Sequence, residues 1–111
     1  MKRFFIFLFI LQMCLFIGCV AQSFIEAQQA NTVAAYDKFL KENRNSVFTL
    51  QAKKLREEVF FERSKEKNTV ESYNEYLNEY PQGVFSHDAK KLKSKVWLSN
   101  LKNAATKKEI E

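Results

Sequence analysis

The chain has 111 residues, 46% hydrophobic and 28% charged, with a formal charge of +5, and carries only two glycines, one proline, two cysteines and one histidine. That length holds one small domain, and so few turn formers exclude a many-stranded sandwich or barrel and leave no glycine-rich phosphate loop. A single histidine, with no acid and nucleophile grouped around it, leaves triads and metal sites without their parts; no catalytic residue, metal ligand or cofactor is assigned, and the chain is read as non-enzymatic.

In chain order, Lys2 and Arg3 form a short basic region, and the apolar stretch Phe4 to Ile17 is broken only by Gln12. This is the pattern of a secretory signal peptide. A membrane-spanning helix needs about 20 predominantly apolar residues, and this stretch is shorter and has no basic cluster after it, so export is preferred to an uncut anchor. Phe16-Ile17-Gly18-Cys19 resembles the lipobox of bacterial lipoproteins, with Phe16 departing from the usual leucine. The resemblance implies cleavage after residue 18, lipidation of Cys19 and a short tether over 19–23. Val20, a non-acidic residue after the lipidated cysteine, implies an outer-membrane lipoprotein facing the periplasm. An overlapping pattern, Cys19-Val20-Ala21, suits ordinary signal cleavage before Gln22 and a periplasmic or secreted product.

Both cysteines, Cys14 and Cys19, fall in this leader region, so the remaining chain has no disulfide and rests on packing alone. From Cys19 onward 16 basic residues face 13 acidic ones over 93 residues. That mild positive balance is not a nucleic-acid signature, and no nucleic-acid partner or small-molecule substrate is inferred.

The strongest pattern is an internal repeat. Residues 24–60 lie over 61–97 without a gap, with 14 of 37 positions identical. Phe24 matches Phe61, Asn31-Thr32-Val33 matches Asn68-Thr69-Val70, Tyr36 matches Tyr73, Val47-Phe48 matches Val84-Phe85, and Ala52 to Leu55 matches Ala89 to Leu92. Within each repeat, Val33, Tyr36, Phe39 and Leu40, and likewise Val70, Tyr73, Tyr76 and Leu77, recur at helical spacing and predict an amphipathic first helix whose stripe is core. Asn31 and Asn68 are the expected N-caps, with Glu71 completing a capping box in the second repeat. Pro81 after Tyr80 predicts the end of that helix, and Gly83 the entry to the next. The second helices are expected to carry Val47, Phe48, Ala52, Leu55, Val59 and Phe60, and Val84, Phe85, Ala89, Leu92, Val96 and Trp97. Ala52 and Ala89 mark the close approach of each helix pair.

Asn-Thr, then Tyr and Phe or Tyr at helical spacing, then Tyr-Pro and Ala-Lys-Lys-Leu, resembles the tetratricopeptide-like repeats of bacterial envelope lipoproteins over Phe24 to Trp97. The resemblance implies an all-α fold, antiparallel helix hairpins stacked as a short solenoid, and a role in holding peptides or partner proteins. Residues 98–111 begin a partial third repeat, or a C-terminal helix, with Leu98 and Ala105-Thr106 in the register of Phe61 and Asn68-Thr69. The expected partner surface is the set of helix positions that differ between repeats: Asp37, Lys38 and Lys41, then Asn74, Glu75 and Asn78. Two repeats leave an open end at Val84, Phe85, Trp97 and Leu98, to be covered by a protein partner or by self-association. A self-associating structural lipoprotein, and the front of a longer repeat protein, are the alternative readings. Lys90, Lys91, Lys93 and Lys95 are read as a solvated helix face, and His87 as structural or exposed.

Overall fold

The computed structural model describes residues 2–111, and of Cys14, Phe16 and Ile17 the backbone alone, so the side chains of two lipobox-like positions lie outside the described ones. Among the described residues there are five helices and no strand: α1 Lys2–Ala30, α2 Val33–Glu42, α3 Thr49–Lys67, α4 Val70–Glu79 and α5 Ser86–Ile110. α1 is long and apolar enough to cross a membrane, with mean hydropathy 2.7 over its most apolar window and none of that window buried. It is therefore compatible with a signal sequence or a membrane anchor. No proline interrupts it, and residues 19–23 continue the same helix.

The chain divides into two compact units, one ending at Arg56 and the other running Glu57–Glu111. In the first, Phe24 of α1 stacks on Phe48 with ring centroids 4.8 Å apart and tilts against Phe39 of α2 at 5.2 Å. In the second, Phe61 of α3 stacks on Phe85 at 4.7 Å and tilts against Tyr76 of α4 at 5.2 Å. The same ring triad thus occurs twice at a spacing of 37 residues. Tyr36, Phe39, Tyr73 and Tyr76 are all buried, as their helical spacing requires of a core stripe. Ala52 and Ala89 have no exposed surface, so any larger side chain there would push the helices apart.

The N-caps lie one residue later than the capping pattern predicts. Thr32 and Thr69 hold the extended backbone of a cap, and their hydroxyls accept from the N–H groups of Ala35 at 3.1 Å and Ser72 at 3.0 Å. The capping box of α4 is closed by Ser72, whose hydroxyl accepts from the Thr69 N–H at 3.2 Å, and Glu71 stays exposed. Asn31 and Asn68 instead end the preceding helices in the left-handed region, at φ 47° and 49°. Asparagine tolerates that conformation, whereas a β-branched threonine does not, and this decides which of the two polar residues takes which place. Each asparagine side chain also accepts a phenol, from Tyr36 at 3.2 Å and from Tyr73 at 2.8 Å. Asn68→Ala is expected to lower stability by roughly 1.5–3 kcal/mol, left-handed strain adding to a lost hydrogen bond, and Asn68→Gly by less. Thermal unfolding of the two variants checks the order.

Tyr80 ends α4 as Pro81 requires, its N–H donating to the Tyr76 carbonyl at 2.8 Å. The following helices start at Thr49 and Ser86, so Val47 and Val84 belong to the turns and are exposed rather than part of the helical apolar stripe. Phe48 and Phe85, one residue on, fold inward onto Phe24 and Phe61. At the far end, α5 runs through Ala105 and Thr106, the register positions of Asn68 and Thr69. Alanine has no easy left-handed conformation and is a strong helix former, so the helix continues where its two counterparts stop.

Candidate binding surface

The six positions that differ between repeats fall in two groups of three. In the first unit Asp37 is drawn into a forked pair with Arg56 of α3, Nε to Oδ1 at 2.5 Å and Nη2 to Oδ2 at 3.5 Å. In the second, Asn74 accepts from Lys93 of α5 at 3.1 Å, the equivalent pair 37 residues on with the carboxylate neutralised to an amide. Both residues therefore tie the first helix of a repeat to its second. Glu75 faces Lys67 at 4.0 Å, a solvent-exposed pair of little energetic weight. Lys38, Lys41 and Asn78 are exposed.

A polar knot braces the second unit from beneath. The buried Tyr76 hydroxyl donates to Glu57 Oε1 at 2.7 Å and accepts from the Phe85 N–H at 3.1 Å, while Glu57 Oε1 also accepts from the Val84 N–H at 2.7 Å. Two orphan backbone donors at the entry to α5 are thereby satisfied, and Phe85 is aimed at Phe61. Gly83 permits this closeness: a Cβ there would stand 2.6 Å from the Tyr76 hydroxyl and 2.8 Å from Tyr80 Cβ. Thirty-seven residues earlier Val20, Phe39 and Ser46 stand at the positions of Glu57, Tyr76 and Gly83, so the knot belongs to the second unit and has no counterpart in the first. Its members lie 19 and 27 residues apart, beyond any local pattern, and only the Tyr-Pro and glycine of the turn hint at it in the sequence.

Burial, reinforced by the hydrogen bond to Glu57, holds the Tyr76 phenol far above its ordinary range, and burial also raises Tyr73 against the opposing pull of Lys65. A phenol raised in the folded state contributes stability that is complete below the unfolded value, about pH 10, and is lost as pH climbs from there toward the folded value. Stability to urea is expected to fall between about pH 9 and about pH 11, less steeply in Tyr76→Phe, as chevron or equilibrium midpoints at the two pH values will read.

The open-end residues separate. Phe85 is partly buried against Phe61, whereas Val84 is 75%, Trp97 53% and Leu98 51% exposed. Leu101, not singled out by sequence, joins them at 49% exposure; its counterpart Ser64 is polar, which hid the correspondence. Open grooves of about 350 and 320 Å³ lie on the same unit, the first lined by Leu92, Lys95, Val96 and Ser99 among others, the second by Val70, Lys93, Ser94 and Trp97. Cys19 is exposed on α1. His87, Asp88, Lys90, Lys91 and Lys95 are exposed, and among the described residues no three His, Cys, Asp or Glu side chains converge on a metal-sized site. No family model, curated protein or solved structure matches this chain.

Proposed function

We propose that the chain is an exported, lipid-anchored helical-repeat protein of the bacterial cell envelope that mediates protein–protein interaction, its hairpins stacked as a short solenoid facing the periplasm. The observation that carries this reading is the duplicated ring triad, Phe24-Phe39-Phe48 and Phe61-Tyr76-Phe85, beside an apolar surface on α5 that has no cover. Duplicated hairpins of this kind add helical surface, and extended surfaces of stacked helices serve binding. The basic start, the apolar run and the small residues before Cys19 and Gln22 support export. Acyl chains on Cys19 would tether it firmly, at roughly 0.8 kcal/mol per buried methylene. Lys41, Asn78 and the α5 surface are the contact positions.

A photo-crosslinking amino acid placed in turn at Lys41, Asn78 and Trp97, in the precursor expressed by the bacterium that encodes it, tests the reading. A discrete heavier adduct in the envelope fraction from at least one position is expected. Adducts of twice the chain mass alone would favour a self-associating structural protein, and no adduct from any position would contradict a binding role.

A further inference from the structure

Phe60, Phe61 and Ser64 of α3 lie under the second hairpin: Phe60 meets Tyr76 and Tyr80, Phe61 meets Tyr76 and Phe85, and Ser64 is 3% exposed with its carbonyl accepting from Ser72. In the first unit Ser23, Phe24 and Ala27 hold the same places, with Ser23 accepting from Asn43, Phe24 between Phe39 and Phe48, and Ala27 5% exposed. The next set in this register is Trp97, Leu98 and Leu101. Those three side chains are 53%, 51% and 49% exposed. A surface that is covered twice in this chain is bare the third time.

Resting on the binding role just argued, we propose that Trp97, Leu98 and Leu101 form the docking surface for a helical hairpin of another protein, one that offers an aromatic pair nine residues apart across a turn and an acidic flank. The spacing is that of both covering hairpins, Phe39 with Phe48 and Tyr76 with Phe85. Each pair straddles the turn between two helices, so the two rings grip one side chain from both arms of the hairpin. The charge follows from α5, which has seven lysines and no acid between Ala89 and Lys108. Opposing charge around an apolar contact steers and orients association. A second copy of this chain does not meet the description. Its own aromatic pairs are already occupied by Phe24 and Phe61, and two α5 helices would oppose lysine to lysine.

Trp97 is the only tryptophan, so its emission reports on this surface alone. The mature chain is titrated with a synthetic hairpin of residues 68–96 carrying Lys90→Glu, Lys91→Glu, Lys93→Glu and Lys95→Glu, which offers Tyr76 and Phe85 nine residues apart, an acidic flank and no Phe61 to fill them. A saturable blue shift and a severalfold fall in acrylamide quenching are expected, both lost with Leu98→Asp or Leu101→Asp and with a hairpin whose Tyr76 and Phe85 are serine. A second format guards against a hairpin that does not fold alone: the same hairpin segment joined directly after Ala104, where register places it, is expected to bury Trp97 and raise the unfolding temperature. Trp97 remaining water-exposed in both formats would overturn the proposal. So would a shift on vesicles of phosphatidylcholine and phosphatidylglycerol without the hairpin, which assigns the surface to lipid, or one that grows with the concentration of the chain alone, which assigns it to self-association. Envelope crosslinks from Lys41 or Asn78 with no hairpin docking would leave the binding role standing on another surface.

Discussion

Phe61→Ala is expected to cost about 3–5 kcal/mol of folding stability, the range for truncating a buried phenylalanine that leaves a cavity. Phe61 is 4% exposed, stacked on Phe85 and tilted against Tyr76, so its loss removes the common partner of both rings. Small domains have only about 5–15 kcal/mol in all, so this one truncation takes a large share. The matched change Phe24→Ala removes the equivalent ring from the first unit. Urea unfolding followed by far-ultraviolet dichroism reads both. Phe61→Leu should restore most of the loss, since the volume is nearly kept and the stacking geometry alone goes.

Gly83→Ala is expected to cost roughly 2–4 kcal/mol, although no glycine here takes a positive φ. The penalty is one of space. The added methyl meets Glu57 Oε1 and the Tyr76 hydroxyl, and either the turn moves out or the hydrogen bonds to Val84 and Phe85 break. A contact of this kind is not additive with its neighbours, so the same substitution should cost markedly less in a Glu57→Ala background, where the carboxylate is gone. Ser46, at the matching place in the first repeat, already carries a Cβ because Val20 and Phe39 stand where Glu57 and Tyr76 do. Ser46→Gly relieves no clash and removes the hydrogen bonds of the Ser46 hydroxyl to the Phe48 N–H and to Thr49 Oγ1, at a cost of about 1 kcal/mol. A thermal-melt cycle over the four chains measures the coupling.

How much of this was legible beforehand follows the range of the interactions. The spacing of Val33, Tyr36, Phe39 and Leu40 and of their counterparts foretold α2, α4 and the stripe that each buries, because helical periodicity is a local property. Pro81 foretold the end of α4 for the same reason. The caps slipped by one residue because Asn and Thr are both good caps, and the choice was made by the preceding helix, which needed a residue able to turn left-handed at Asn31 and Asn68. The apolarity of Val47 and Val84 predicts helical positions, yet the turns run one residue past them. Of the candidate surface, Lys38, Lys41 and Asn78 were found exposed, but the ties of Asp37 to Arg56 and Asn74 to Lys93 are tertiary and showed only once the helices were paired. The exposed α5 trio was partly visible, with Trp97 and Leu98 in register and Leu101 concealed opposite a serine.

The proposed envelope role turns on the fate of the residues around Cys19. The intact mass of the mature protein, made from the full precursor in a bacterial host beside Cys19→Ala, addresses it most directly. The account predicts a chain that begins at Cys19 and carries diacylglyceryl and acyl additions, all lost in the variant. A lipid-free chain beginning at Gln22, or an uncleaved precursor, would contradict the lipid anchor.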